Sequence, residues 1–87
     1  MVKFVIPLDG TGERDDPFRP RFLEEAPPGI HYDLVNGVAV FDPEAAEKAV
    51  KALKAKKEIE KVLLDKVKKA AKELEKLAEE GKVEKIE

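Results

Sequence analysis

The stretch Lys51-Ala-Leu-Lys-Ala-Lys-Lys-Glu-Ile-Glu-Lys-Val-Leu-Leu64 decides the fold of this chain, because it reads two ways. Ala, Lys, Glu and Leu are strong helix formers, so by composition it merges with its flanks into one helix from residue 43 to about residue 80. Its second half argues otherwise. Ile59-Glu-Lys-Val-Leu-Leu64 is denser in aliphatics than the segments on either side, which suits a buried strand. Shifting the chain by 24 residues lays Lys51–Val62 over Glu75–Ile86, with Leu53 on Leu77, Ile59 on Val83, Val62 on Ile86 and Glu60-Lys61 on Glu84-Lys85.

In the later copy Gly81 stands where a glycine commonly ends a helix, so 83–87 is expected to be extended. By analogy the first helix stops near Lys57. Ala46, Ala49, Val50 and Leu53 form one apolar stripe, and Val67, Ala70, Ala71, Leu74 and Leu77 form another, with Asp65 placed to cap the second helix. This half therefore reads as helix 43–56, strand 58–64, helix 65–80 and strand 83–87.

Toward the N-terminus, Asp42-Pro43-Glu44 offers a capping oxygen, a proline at the first helical position and an early carboxylate. Before it, Asn36-Gly37 favours a type I′ turn and predicts a hairpin of 31–35 with 38–41. Val2–Leu8 is partly alternating and predicts a strand, placed at a sheet edge. The fold class that follows is α/β: one domain over 1–87, a two-layer sandwich of a small mixed sheet with two helices on one face. Two right-handed βαβ crossovers would make it a ferredoxin-like relative. The alternative is the β-hairpin region followed by one long C-terminal helix, able to dimerise as a coiled coil.

Composition narrows the chemistry. The chain has 87 residues and no cysteine, and its single histidine cannot build the usual zinc site. No apolar run is long enough to span a bilayer, so a cytoplasmic protein without membrane contact is expected. Charged residues are 41% of the chain, and Gln and Ser are absent, a bias shared by hyperthermophile proteins and by some designed sequences. Residues 1–42 hold every aromatic side chain and carry a net −4, whereas 43–87 carry +2 with no aromatic residue.

The candidate site lies in Leu8-Asp-Gly-Thr-Gly-Glu-Arg-Asp-Asp-Pro-Phe-Arg-Pro-Arg-Phe22. Asp9-Gly-Thr-Gly12 has the glycines of a phosphate cradle, but Glu13, Asp15 and Asp16 would repel an anion and Pro17 and Pro20 forbid the helix that such a loop needs. Asp9, Glu13, Asp15 and Asp16 supply oxygen ligands without the spacing of a calcium hand. A dyad of aspartates would need two lobes. The reading preferred here is a folded loop: Asp15, Asp16 and Pro17 set an Asx-type turn, Phe18 and Phe22 dip back over the core, and Arg14, Arg19 and Arg21 pair with carboxylates. Thr11, Arg14, Arg19, Arg21 and His31 form the expected recognition surface. His31 shares a strand face with Asp33, yet no serine or cysteine exists for it to activate, so no catalytic residue, cofactor site or metal site is assigned.

The motif Pro7-Leu-Asp-Gly-Thr-Gly12 with Asp16-Pro-Phe-Arg-Pro20 resembles the N-terminal region of small uncharacterised proteins of thermophile viruses and proviruses. The similarity covers about residues 1–42 and implies a mobile-element context, with a virion-associated location as the alternative to a cytoplasmic one, but no activity.

Two further partner classes are weighed. Lys48–Lys72 contains ten lysines against Glu58, Glu60 and Asp65, a local +7 that could meet nucleic-acid backbone weakly. The plainer reading is a solubilising face. A short chain with exposed strand edges gains stability by self-association, so the expected function is a non-enzymatic binding or assembly module, with a dimer or another protein as partner.

Overall fold

The computed structural model describes residues 2–87. Strand β1 (Lys3–Asp9) leads through a folded loop into the two-residue strand β2 (Arg19–Pro20), and a second connection reaches the hairpin of β3 (His31–Asp33) and β4 (Val38–Phe41). Helix α1 (Pro43–Ala52) and helix α2 (Lys57–Glu79) follow one another directly, and β5 (Glu84–Ile86) comes after them. The curled sheet is antiparallel throughout, in the order β2-β1-β4-β3, with β5 joining β1 on the side away from β4.

The core follows from strand alternation. Phe4 and Ile6 point inward from β1 and lie opposite Phe41 and Ala39 of β4, all fully buried. Both helices cover this one face, contributing Ala46 and Val50 from α1 and Val67, Ala70 and Leu74 from α2. Burial of side chains the size of Phe, Leu, Ile or Val stabilises by roughly 1.5–3 kcal/mol each. Two helices on one face of a small sheet is the layer arrangement expected from the sequence.

Three expectations fail, each for a physical reason. Ile59–Leu64 is not a strand but the first turns of α2, because Leu63, Val67, Ala70, Leu74 and Leu77 repeat at three- and four-residue spacing and no glycine or proline interrupts them. Asp65 therefore lies inside the helix and caps nothing. The sheet is antiparallel rather than mixed: with no strand between the helices there is no βαβ crossover, and ferredoxin-like connectivity gives way to one αα-hairpin. Finally, β1 is central rather than at an edge, with β4 along one side and β5 and β2 sharing the other. The single-helix alternative also fails, since α1 ends at Ala52 and the chain reverses before Lys57.

Central position makes Pro7 notable, because proline lacks the N–H that a ladder uses. Its carbonyl accepts from Arg21 N–H at 2.9 Å, so its nitrogen faces the same side, in the interval where β5 has ended and β2 begins. No bond to β4 is lost.

The turn between β3 and β4 also departs from expectation. Asn36 does not have a positive φ, whereas Gly37 has φ 66°, so the loop is a four-residue connection rather than a type I′ turn. Asp33 explains it: its carboxylate accepts from Asn36 N–H at 3.2 Å and from Asn36 Nδ2 at 2.7 Å. Satisfying that backbone donor shortens the strand to 31–33 and leaves Leu34 and Val35 in the turn.

Candidate functional site

Thr11, Arg14 and Arg19 lie in the hairpin that joins β1 to β2, with Arg21 just after β2; the glycines of that hairpin shape the turn rather than hold an anion. Thr11 N–H and Gly12 N–H both donate to the Asp16 carbonyl, at 3.1 and 3.0 Å, and Asp16 N–H returns to the Glu13 carbonyl at 3.1 Å. The two amides that a phosphate would need are thus spent inside the loop. A Cβ on Gly10 would stand 2.3 Å from the Pro17 carbonyl oxygen, and one on Gly12 would stand 2.4 Å from the Phe18 ring. These glycines are needed for close packing, and the segment is self-packed.

Arg19 lies 3.5 Å from Asp16, and Arg21 Nε donates to Asp9 at 2.8 Å. Arg14, at the tip of the 13–16 turn, forms no ion pair among the described residues. Phe18 and Phe22 do not roof the core as expected: Phe18 covers Gly12, and Phe22 is 50% exposed with the Lys82 ammonium 5.6 Å from its ring centroid. Pro20 and Pro27 are the buried residues of these connections instead. Among the described residues no three carboxylate or imidazole groups converge as metal ligands.

His31 sits apart. It is exposed on β3, two strands beyond β1 across the sheet, so the structure does not bring it to the arginine-bearing loop. Register does place His31 and Asp33 on one face, opposite Val40 and Val38. Asp33 is nonetheless engaged with Asn36, whose side chain and backbone N–H hold its carboxyl below the usual range.

The more extensive surface is the sheet face turned away from the helices. Val5 of β1 is opposite Val40 of β4, and Pro7 is opposite Val38. These four form a contiguous apolar block, half-buried only by their neighbours. Beside it Val5, Pro7, Val38, Lys82, Val83 and Glu84 line a shallow groove of about 320 Å³. Sequence reading passed over this face, although the signal was present: Val38 and Val40 alternate with the buried Ala39 and Phe41, and both are apolar where a solvent-facing strand would alternate with polar residues.

Acids are interspersed with the lysines wherever α2 lines a groove. Lys57, Lys61 and Lys68 flank Glu60 and Asp65 on one side of α2, while Lys66 and Lys69 border a separate groove with Glu24, Glu25 and Glu73. Lys66 lies 3.6 Å from Glu25. Among the described residues no helix is long and apolar enough to cross a membrane.

No protein-family model, no curated protein and no solved structure matches this chain.

Proposed function

We propose that the chain is a small non-enzymatic assembly module that associates with itself through protein surface rather than through a bound cofactor. One observation carries this reading: the sheet is covered by helices on one face only, and Val5, Pro7, Val38 and Val40 form an apolar block on the other. Apolar area removed from water contributes roughly 25 cal/mol per Å², so covering this block is favourable. The lysine-rich composition fits a thermophile source, and the N-terminal motif fits a viral or proviral context, cytoplasmic or virion-associated.

Nucleic-acid binding is the weaker reading. Lys57, Lys61 and Lys68 share one groove with Glu60 and Asp65, Lys66 and Lys69 share another with Glu24, Glu25 and Glu73, and no aromatic residue lies in the helices to stack a base. Sedimentation equilibrium over a wide concentration range tests the assembly reading. A mass that doubles with concentration supports it, and a monomer mass throughout overturns it.

A further inference from the structure

The charges bordering the apolar block follow a pattern that its centre does not reveal. Two central rows of the outward sheet face hold the block, with Lys3 and Ile86 beyond one of them and Asp9 and Arg19 beyond the other. In one, Glu84 of β5, Val5, Val40 and His31 of β3 lie side by side by register. In the next, Pro7 and Val38 lead to Asp33 at the β3 edge, and Arg21 stands on the other side of Pro7, its N–H bonded to the Pro7 carbonyl. Arg21 shares this face because its Nε reaches Asp9, which alternation places with Val5 and Pro7.

The four corners are therefore acid and imidazole in one row, guanidinium and acid in the next. Corner separations across four strands are about 14 Å, and the rows are about 7 Å apart, from ordinary strand geometry. Such a pattern is complementary to itself. A two-fold axis in the face and along the strands lays Glu84 over a second copy's His31 and Arg21 over its Asp33. An axis across the strands lays Glu84 over Arg21 and His31 over Asp33. Only a diagonal axis would lay like on like.

Each corner can still bond outward. Glu84 and His31 have no ion pair among the described residues, Arg21 uses only Nε, and Asp33 retains acceptor capacity beyond Asn36. Lys82 sits nearby but is held by Glu80 at 3.1 Å.

We infer that two copies of this chain meet face to face through the Val5–Pro7–Val38–Val40 block, about a two-fold axis lying along or across the strands, with Glu84, His31, Arg21 and Asp33 pairing at its corners. This rests on the self-association proposed above and assigns it a surface. Sheets packed this way lie about 10 Å apart with strands within about 30° of alignment. The face covers on the order of 400 Å² per subunit from strand spacing, small beside the ~800 Å² of a standard interface. The dimer is accordingly weak, dissociating in the micromolar range or above.

Because the chain has no cysteine, introduced thiols report position cleanly. Val5→Cys, Val40→Cys and, as a control on the far pole, Leu53→Cys are treated with a short bis-maleimide at concentrations where the wild-type mass doubles. About either axis Val5 lies only about one strand or one row from its own copy, so cross-linking of Val5→Cys to itself reports the face; a preferred cross-link of Val5→Cys with Val40→Cys identifies the axis along the strands, and with a further variant, Pro7→Cys, the axis across them. Either result supports the face. A doubled mass with cross-links only through Leu53→Cys overturns the face while leaving self-association standing, and a wild-type monomer at every concentration removes both.

A second measurement avoids chemical modification. Val40→Lys is expected to raise the dimer dissociation constant at least tenfold with an unchanged circular dichroism spectrum, and Leu53→Lys to leave it unchanged. Glu84→Lys is expected to raise it severalfold, by an amount that shrinks in high salt. An unaltered dissociation constant for folded Val40→Lys overturns the assignment.

Discussion

Lys57 and Gly81 hold equivalent places in two segments of closely similar sequence, and the chain does opposite things at them. After Leu77 it stops its helix: Gly81 takes φ 77°, its N–H donates to the Ala78 carbonyl at 3.1 Å, and Lys82 N–H donates to the Leu77 carbonyl at 2.9 Å. This is the Schellman arrangement, which satisfies two otherwise unpaired carbonyls and turns the chain back into β5. After Leu53 the chain turns earlier, at Lys54 with φ 52°, and Lys57 begins a new helix. Similar aliphatics at similar spacing thus become a helix in one copy and a strand in the other. The terminator differs, and with it the fate of Ile59 and Val83.

Packing is the largest consequence. Val83 is 6% exposed and Ile59 52%. Val83→Ala is expected to cost about 2 kcal/mol in denaturant unfolding, and Ile59→Ala less than about 0.5 kcal/mol, by the usual cost of deleting buried against exposed methyl groups. Equal losses would mean that the two segments are packed alike and would break the comparison.

The next effect isolates the terminator. A Cβ on Gly81 would meet nothing within 4 Å, so Gly81→Ala tests backbone conformation alone. It is expected to cost about 1 kcal/mol, the penalty of a left-handed conformation for a residue with a side chain.

Lys54 should respond with the opposite sign. It holds the same region of φ without being glycine, so Lys54→Gly is expected to raise stability by about 0.5–1 kcal/mol. A loss on this substitution would show that the Lys54 side chain contributes contacts that outweigh its backbone strain.

Titration gives the smallest effects and separates the strand that follows Gly81 from the β3–β4 hairpin. Lys85 Nζ donates to Glu75 at 2.9 Å, and this bond, with the charge of Glu75 and a second contact to Glu87, raises its pKa. A raised lysine pKa means that the tie between β5 and α2 contributes fully below the unfolded-state value near 10.4 and is lost as pH climbs through the folded one. Asp33 behaves conversely. Its lowered pKa means that the hairpin cap contributes above the ordinary carboxylate value near 3.9 and is lost as pH falls through the depressed one. Amide exchange should therefore quicken in the β5 region at alkaline pH and at Asn36 in acid; Glu75→Gln should abolish the first change and leave the second.

Part of the candidate site was legible in residue order. Arg19 and Arg21 do pair with carboxylates, and Asp9-Gly-Thr-Gly12 does form a turn rather than a cradle. The separation of His31 from that loop was not legible, because it depends on β4 lying between β3 and β1. The outward apolar face was hidden for a similar reason: Val5 and Val40 are unremarkable until register places them opposite each other. In the second half the internal repeat masks the longer helical stripe from Leu63 to Leu77, which runs through both expected elements.

Sequence by itself determined the features whose energies are local. Asp42 caps α1 by accepting from Glu44 and Ala45 N–H at 3.1 and 3.2 Å, Gly81 ends α2, and alternation in β1 and β4 selects Phe4, Ile6, Ala39 and Phe41 for the core. Each rests on backbone groups or side chains within a turn or a pleat of one another. Only the tertiary structure decided where α1 ends, since Leu53-Lys54-Ala55-Lys56 contains no helix breaker, and which edge of β1 receives β5. The chain reverses at Lys54 because bringing Val67, Ala70 and Leu74 back over Ala46, Val50 and the sheet buries more apolar surface than one straight helix could, a gain larger than the roughly 1 kcal/mol cost of a left-handed lysine.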